Sequence, residues 1–206
     1  KETELLIAVV RMTIQLVLVG YILDYILGSQ RMWMTLAAVA IMEVFAVQNI
    51  YQRIKIDMTP RFRSIVACSM AFGTIITMIF FFFVLLSVKP WYSPRYVIPL
   101  SGMLIGNSMT GITLGAELLL RGFHDKKELI EGALMLGATP ERASREIINE
   151  SFTAAILPTI NSMVGMGIVF LPGMMSGQIL SGVPAVTAIK YQMAIMFAIQ
   201  IGRAHV

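Results

Sequence analysis

The polar residues that could interact with a small ion lie inside stretches that are otherwise apolar. Glu43 lies ten residues before Arg53, about 15 Å along a helix. Arg11 and Gln15 are one helical turn apart and share a face. A carboxylate and an amide supply oxygen ligands for a hard or borderline cation. Glu43 and Asn107 are therefore candidate residues of an ion pathway, with Arg11 and Gln15 beside it.

Each of these residues also has a purely structural interpretation. Arg11 and Glu43 lie at similar predicted depth and can form an ion pair, or Arg11 can extend its side chain to the membrane surface. Asn107 belongs to a segment in which glycines recur four residues apart, a spacing that lets helices approach closely. Those glycines are Gly102 with Gly106 and Gly111 with Gly115. An amide bonded across such a helix–helix contact would be structural.

Motifs for covalent chemistry are absent from the sequence. It contains no G-x-x-x-x-G-K-[ST] phosphate loop, no H-E-x-x-H zinc motif and no pair of cysteines. ATP chemistry, if it drives this protein, must take place on another chain. We therefore expect neither an enzyme nor a bound cofactor.

Methionine is abundant, with 16 residues in the chain. Thioethers are soft ligands that suit Cu(I) better than iron, but adaptable packing in a bundle that changes shape is the favoured explanation. The sequence leaves the metal unknown.

Composition predicts an integral membrane protein. The 206 residues are 57% hydrophobic and 14% charged, with a mean hydropathy of +0.77, well outside ordinary soluble usage. A membrane-spanning helix needs about 20 apolar residues. We predict an all-α polytopic bundle, a single transmembrane domain over residues 1–206, with about six spans. The predicted spans are 4–27, 32–52, 65–88, 96–117, 151–171 and 187–203, and prolines and glycines separate the last two.

The chain starts KETE and stops at GRAHV, so we expect that an N-terminal span and a C-terminal tail are missing.

A charged segment at residues 121–150 interrupts this apolar pattern. It holds six acidic and five basic residues. We predict two short helices, the first capped by Asp125 with Glu128 completing a capping box. Gly137 supplies the turn between them. Thr139 caps the second helix, with Pro140 at its first position.

This segment, hereafter the coupling segment, admits three interpretations. The Ala133-x-x-x-Gly137 spacing also occurs in DNA-binding helix-turn-helix motifs. The excess of acidic residues would repel phosphate, so no nucleic-acid partner is expected. An amphipathic linker lying on the membrane lipid is the second interpretation. The third, which we favour, is a docking element for a cytosolic partner.

Basic residues predict the orientation. Loop 53–63 and the coupling segment together hold nine Lys or Arg residues, and they share one side if every apolar segment crosses once. By the positive-inside rule both lie in the cytoplasm, which predicts a multi-pass protein of the cell inner (plasma) membrane.

Particular strings in the chain resemble a known family. EGALMLG at 131–137 resembles the E-A-A-x-x-x-G coupling segment of ABC-transporter membrane subunits, although Gly132 replaces the middle alanine. More specific strings are LVGYIL at 18–23, SGMLIGNSM at 101–109, GATPERAS at 137–144, LPGMMSGQILSG at 171–182 and AIKYQ at 188–192. Together they look like the FetB-type permeases, membrane subunits of iron-exporting ABC transporters related to the plant aluminium-sensitivity permeases.

The resemblance implies a homodimeric permease that exports iron or a related metal ion and works with a separate ABC ATPase subunit, which uses ATP. It implies that the ATPase binds the coupling segment at Glu131, Ala133, Gly137, Ala138, Thr139 and Pro140. Two alternatives stay open. One is an ABC importer permease for another small solute, and the other is a stand-alone channel or carrier in which the coupling segment is only a linker.

Overall fold

A computed structural model describes residues 2–29, 31–81 and 90–204, with the backbone alone at 2, 4, 5 and 201–204. Eight helices and no strand occur in these ranges. They are α1 (Glu2–Ser29), α2 (Met32–Arg53), α3 (Pro60–Phe80), α4 (Pro94–Asp125), α5 (Lys127–Met135), α6 (Pro140–Gly165), α7 (Gly173–Leu180) and α8 (Ala185–Ala204). The predicted all-α bundle is confirmed.

Four helices of the described part are long and apolar enough to cross a membrane: α1 from Leu6 onward, α2, α3 and α4. Helix α6 joins a charged first half to an apolar second half, and α8 is 20 residues long. That α6 and α8 also cross the membrane stays a prediction.

Helix α4 is the centre of the bundle. It packs against α2, α3, α6 and α8, and its contact with α6 is the most extensive among the described helices. Small residues allow this close approach, because a Cβ at Gly115 would lie 3.1 Å from the Cβ of Ala155. A Cβ at Gly122 would lie 2.5 Å from the side chain of Ile147. By contrast, α1 lies at the edge, and Ile26 is the side chain that it buries among those described.

Two apolar clusters hold the bundle together. The first joins α2, α3 and α4 and continues into the connection between α2 and α3; its buried members are Ala46, Ile50, Ile54, Met58, Val66, Met70, Ile105, Ile112 and Ala116. The second joins α3, α4 and α8; its buried members are Phe81, Val97, Leu100, Leu104, Ile195, Ala198 and Ile199. Because α4 contributes to both, it connects the two halves of the bundle.

Two buried hydroxyl groups of these helices are satisfied within their own helix. Thr77 donates to the Gly73 carbonyl at 2.7 Å, and Ser151 donates to the Ile147 carbonyl at 2.7 Å. Each partner is four residues earlier in the same helix, so these polar groups need no acceptor on a neighbouring helix.

The predicted cap at Asp125 is wrong. Asp125 is the last residue of α4, Lys126 occupies the position between α4 and α5, and no side chain caps α5. Helix α4 continues eight residues beyond the expected end at 117. The Glu117–Arg121 ion pair at 2.8 Å and the packing of Gly122 on Ile147 support this extra length.

The remaining differences concern helix ends. The second helix of the coupling segment is not short, because α6 runs unbroken from Pro140 to Gly165 and contains Pro158. It ends six residues before the expected 171. There the chain turns through Gly167, whose φ of +83° favours glycine. The PGMMSG region, which lies between the last two predicted spans, contributes to the short helix α7. Helix α3 begins at Pro60, five residues earlier than expected, and residues 82–88 of that predicted span lie outside the described residues.

Candidate functional site

The coupling segment is built around a sharp end of α5. Gly137 has φ +88°, and its N–H donates to the Leu134 carbonyl at 3.0 Å. The Ala138 N–H donates to the Ala133 carbonyl, also at 3.0 Å. This pair of bonds is the Schellman motif, which satisfies the last carbonyls of a helix. The geometry gives Ala133, Gly137 and Ala138 a shared structural role.

Helix α6 then begins as the sequence predicts. The Thr139 hydroxyl accepts a hydrogen bond from the Arg142 N–H at 3.4 Å, and Pro140 is the first helical residue. Four of the six predicted coupling residues, Gly137 to Pro140, are consecutive where α5 turns into α6, and a fifth, Ala133, accepts a hydrogen bond from Ala138. Glu131, the sixth, is exposed on α5 and lies 3.8 Å from the Lys127 ammonium.

An ion cluster joins the start of α5 to α6. The Lys126 Nζ lies 3.4 Å from a carboxylate oxygen of Glu146 and 3.3 Å from one of Glu150. Partial burial acts to lower the pKa of Lys126, but the hydrogen bond to Glu150 and the charges of both carboxylates raise it above its usual value. Lys126 therefore carries its charge at neutral pH and connects α5 to α6.

The most unusual property of α5 is its apolar surface. None of its side chains is buried. Leu129, Met135 and Leu136 are 73%, 87% and 91% exposed. These three residues were not predicted as binding residues from the sequence, because the prediction for this segment was based on its charged residues. The Leu-Met-Leu run directly before Gly137 was the available signal.

A cleft of about 400 Å³ lies between α3, α4 and α6, next to the coupling segment. Its walls are apolar or small, and include Phe62 of α3, Gly111 of α4 and Phe152 of α6. Helix α6 therefore packs on α4 and α5 while a cleft separates it from α3.

The predicted pathway residues lie on three different helices. Glu43, on α2, accepts a hydrogen bond through Oε1 from the Thr74 hydroxyl of α3 at 3.4 Å. Its Oε2 is buried and has no hydrogen-bond partner among the described residues. Asn107, on α4, donates to the Met103 carbonyl of its own helix at 2.8 Å.

Arg11 and Gln15 lie elsewhere, on α1, and both are exposed. Among the ion pairs of the described residues there is none between Arg11 and Glu43, so the alternative of an ion pair within one chain is not found. The reason is architectural, since α1 lies at the edge of the bundle and Glu43 faces α3.

No group of three or more His, Cys, Asp or Glu side chains placed to hold a metal ion occurs in the part of the chain that the structure describes. Cys68 is exposed on α3 as a free thiol.

Comparison with known sequences places this chain. A family model described as "Uncharacterised protein family (UPF0014)" matches residues 1–204. The chain belongs to this family. It is 36% identical over 199 residues to a UPF0014 membrane protein of Synechocystis, covering 95% of this chain and 75% of the relative. The UPF0014 chain is therefore a multi-pass membrane protein, as its helices indicate.

Two further relatives carry descriptive names. The protein is 36% identical over 196 residues to the "Probable iron export permease protein FetB" of Escherichia coli, covering 95% of this chain and 74% of the relative. It is 33% identical over 195 residues to the "Protein ALUMINUM SENSITIVE 3" of Arabidopsis thaliana, covering 95% and 70%. No solved structure matches the UPF0014 chain.

Proposed function

We propose that this chain is the permease subunit of an ABC transporter that exports iron or a related metal ion, driven by a separate ATPase subunit that binds α5. The observation that carries the proposal is the exposed apolar surface of Leu129, Met135 and Leu136. Contiguous exposed apolar side chains mark interaction sites on protein surfaces. The name of the Escherichia coli relative supports metal export.

Mechanical coupling follows from the way α5 is fixed. The Schellman motif connects the end of α5 to α6, and Lys126 connects its beginning to Glu146 and Glu150. A push on α5 is therefore transmitted to α6. Because α6 adjoins a cleft on the α3 side, its displacement changes the α4–α6 contact at Gly115. In a homodimer this movement would alternate the access to a central pathway.

The pathway in this proposal includes Glu43 and Asn107. Burying a carboxylate oxygen without a partner is unfavourable, and a bound cation would compensate the charge of Glu43. Asn107 supplies an amide oxygen on the neighbouring α4. Arg11 and Gln15 line the same path only if a second copy brings its α1 against the bundle.

The proposal requires the coupling segment to face the ATP supply. In a Cys68→Ser background, we expect a cysteine at exposed Arg95 to react with an impermeant reagent from outside the cell. A cysteine at exposed Arg61 should react only after permeabilisation. The opposite labelling pattern would place the coupling segment outside the cell and would contradict the proposed function.

Direct evidence would come from purifying the intact complex and sequencing its components. We expect a stoichiometric subunit with a phosphate-loop motif, lost with Glu131→Lys or Gly137→Val while the permease remains folded in the membrane. Absence of such a subunit from the complex would favour a channel or carrier.

The direction of transport is measured in inside-out vesicles. Metal uptake into these vesicles upon ATP addition is the expected sign of export, and metal release from them would identify an importer.

A further inference from the structure

The cleft between α3, α4 and α6 has the length of one lipid leaflet. Its lining residues run along α4 from Ser108 to Leu119, which is about 16 Å at the helical rise. The hydrocarbon part of one leaflet is about 15 Å thick, half of the bilayer core. A helix of a second protein chain that crosses the membrane would run along about twice this length. The cleft therefore matches an acyl chain in length better than it matches a helix.

The walls of the cleft suit an apolar occupant. None of the described side chains that line it is ionisable, and its volume of about 400 Å³ lies in the range of roughly 300–1,000 Å³ that is usual for ligand pockets. Ile65 of α3 and Phe152 of α6 line it and are 53% and 55% exposed. The Ser151 hydroxyl, one of the few polar groups in the walls, donates to the Ile147 carbonyl. An acyl chain would cover the exposed apolar surface without leaving a polar group unpaired.

Two arginines flank one end of this cleft, where α3 and α6 begin and α4 ends. Arg61 is four residues before the cleft-lining Ile65, and Arg145 is three residues before the cleft-lining Ile148. These spacings place each arginine on the same face of its helix as the cleft-lining residue. Both are exposed, and neither belongs to the ion pairs found among the described residues.

The acidic residues of α6 leave the charge of Arg145 available. Glu146 and Glu150 bind the Lys126 ammonium. Glu141 lies one turn farther from the cleft than Arg145, in the first turn of α6. The end of the cleft is therefore bordered by positive charge on both of its flanking helices.

An apolar cleft with basic residues at one end has the chemistry of a phospholipid site. Basic pockets between membrane helices on the cytoplasmic side bind anionic headgroups, and arginine binds phosphate through charge-assisted hydrogen bonds. We propose that the cleft holds an acyl chain of an anionic phospholipid, whose phosphate is bound by Arg61 and Arg145. This inference goes beyond the proposed function and does not depend on it, because lipid binding is measured on the permease alone.

Titration with two lipids tests the proposal. Purified permease in detergent would be titrated with phosphatidylglycerol, which is anionic, and separately with phosphatidylcholine, which has the same acyl chains and no net charge. Native mass spectrometry counts the bound lipids. We expect the first phosphatidylglycerol to bind with a Kd about tenfold lower than that of phosphatidylcholine, or lower still.

Variants locate the site. Arg61→Gln with Arg145→Gln should raise the Kd for phosphatidylglycerol by roughly tenfold and leave that for phosphatidylcholine unchanged. The control Arg95→Gln changes an exposed arginine at the opposite end of α4 and should bind both lipids as the unmodified chain does. Ser69→Phe places a large side chain in the cleft and should weaken the binding of both lipids.

Three results would overturn the proposal. The first is an equal Kd for the two lipids in the unmodified permease, and the second is equal phosphatidylglycerol binding in the double arginine variant and in Arg95→Gln. The third is a loss of permease dimers in Ser69→Phe with lipid binding unchanged, which would assign the cleft to a second copy of the chain. Loss of the lipid preference in a double arginine variant that still binds the ATPase subunit would support the inference.

Discussion

The α2–α3 connection, residues 54–59, and the coupling segment each lead into a helix that starts Thr-Pro, with Thr59 and Thr139 as the caps. The two segments differ in the exposure of their apolar side chains. In the α2–α3 connection, Ile54 and Met58 are 5% and 7% exposed and belong to the first apolar cluster. In the coupling segment, Met135 and Leu136 are 87% and 91% exposed.

Interactions between Tyr51 and Arg63 add to this difference between the two segments. The Tyr51 hydroxyl donates to the Arg63 carbonyl at 2.6 Å, and the Arg63 guanidinium lies 5.9 Å from the centre of the Tyr51 ring. The α2–α3 connection is thus fixed to the bundle on both sides. The coupling segment is fixed at its two ends and leaves the α5 surface free. The first is built for stability, and the second is proposed to bind a partner.

The largest expected effect is on stability, at the α2–α3 connection. Met58→Ala should lower the free energy of unfolding by about 2–5 kcal/mol, because it leaves a cavity in the first cluster. Met135→Ala, the matched change in α5, should alter it by less than about 0.5 kcal/mol. Denaturant unfolding in detergent compares the two variants. Equal losses would mean that α5 is packed against something in the free permease.

The next effect is on partner binding. Met135→Ser with Leu136→Ser should weaken binding of the ATPase subunit by about 2 kcal/mol or more, roughly 30-fold in Kd. Lys55→Ser, at an exposed site of the α2–α3 connection, is the control and should leave Kd unchanged. Titration of the labelled ATPase subunit onto the purified permease gives both constants. A larger loss with Lys55→Ser would move the docking surface to the α2–α3 connection.

A smaller effect is expected where α5 turns into α6. Gly137→Ala places a side chain at φ +88° and should cost about 1–2 kcal/mol of stability. Gly132→Ala lies within α5 with open space around it and should be neutral or stabilising by up to about 1 kcal/mol. Thermal unfolding distinguishes them, and the reverse order would contradict the left-handed turn.

The smallest effect concerns the link between α5 and α6. Lys126→Met removes an ion cluster with exposed carboxylates, so its effect on stability should be slight. We expect it instead to reduce stimulation of ATP hydrolysis by the permease while ATPase binding is retained. Lys127→Met, whose pair with Glu131 stays within α5, is the control. Equal stimulation in both variants would remove Lys126 from the coupling path.

Features set by neighbouring residues were predicted from the sequence, and features set by distant contacts were not. The turn at Gly137 and the start of α6 at Thr139 and Pro140 follow from backbone preferences of single residues, and both predictions are confirmed. The cap at Asp125 failed because Gly122 packs on Ile147, a residue 25 positions later, and so extends α4. Local capping preference is worth about 1 kcal/mol, and packing against another helix overrides it.

The contacts of the candidate pathway residues also could not be predicted from the sequence. Glu43 was recognisable as a charged residue in an apolar helix, yet its neighbour Thr74 is 31 positions away.

Site-specific crosslinking tests the central claim, that α5 is the surface that meets the ATPase subunit. A photo-reactive residue would replace Leu136 in one sample and Lys55 in another, with both irradiated in the intact complex. We predict that the residue at 136 crosslinks to a subunit carrying a phosphate-loop motif, and that the residue at 55 does so at least tenfold less. Efficient crosslinking from 55 and none from 136 would contradict the account.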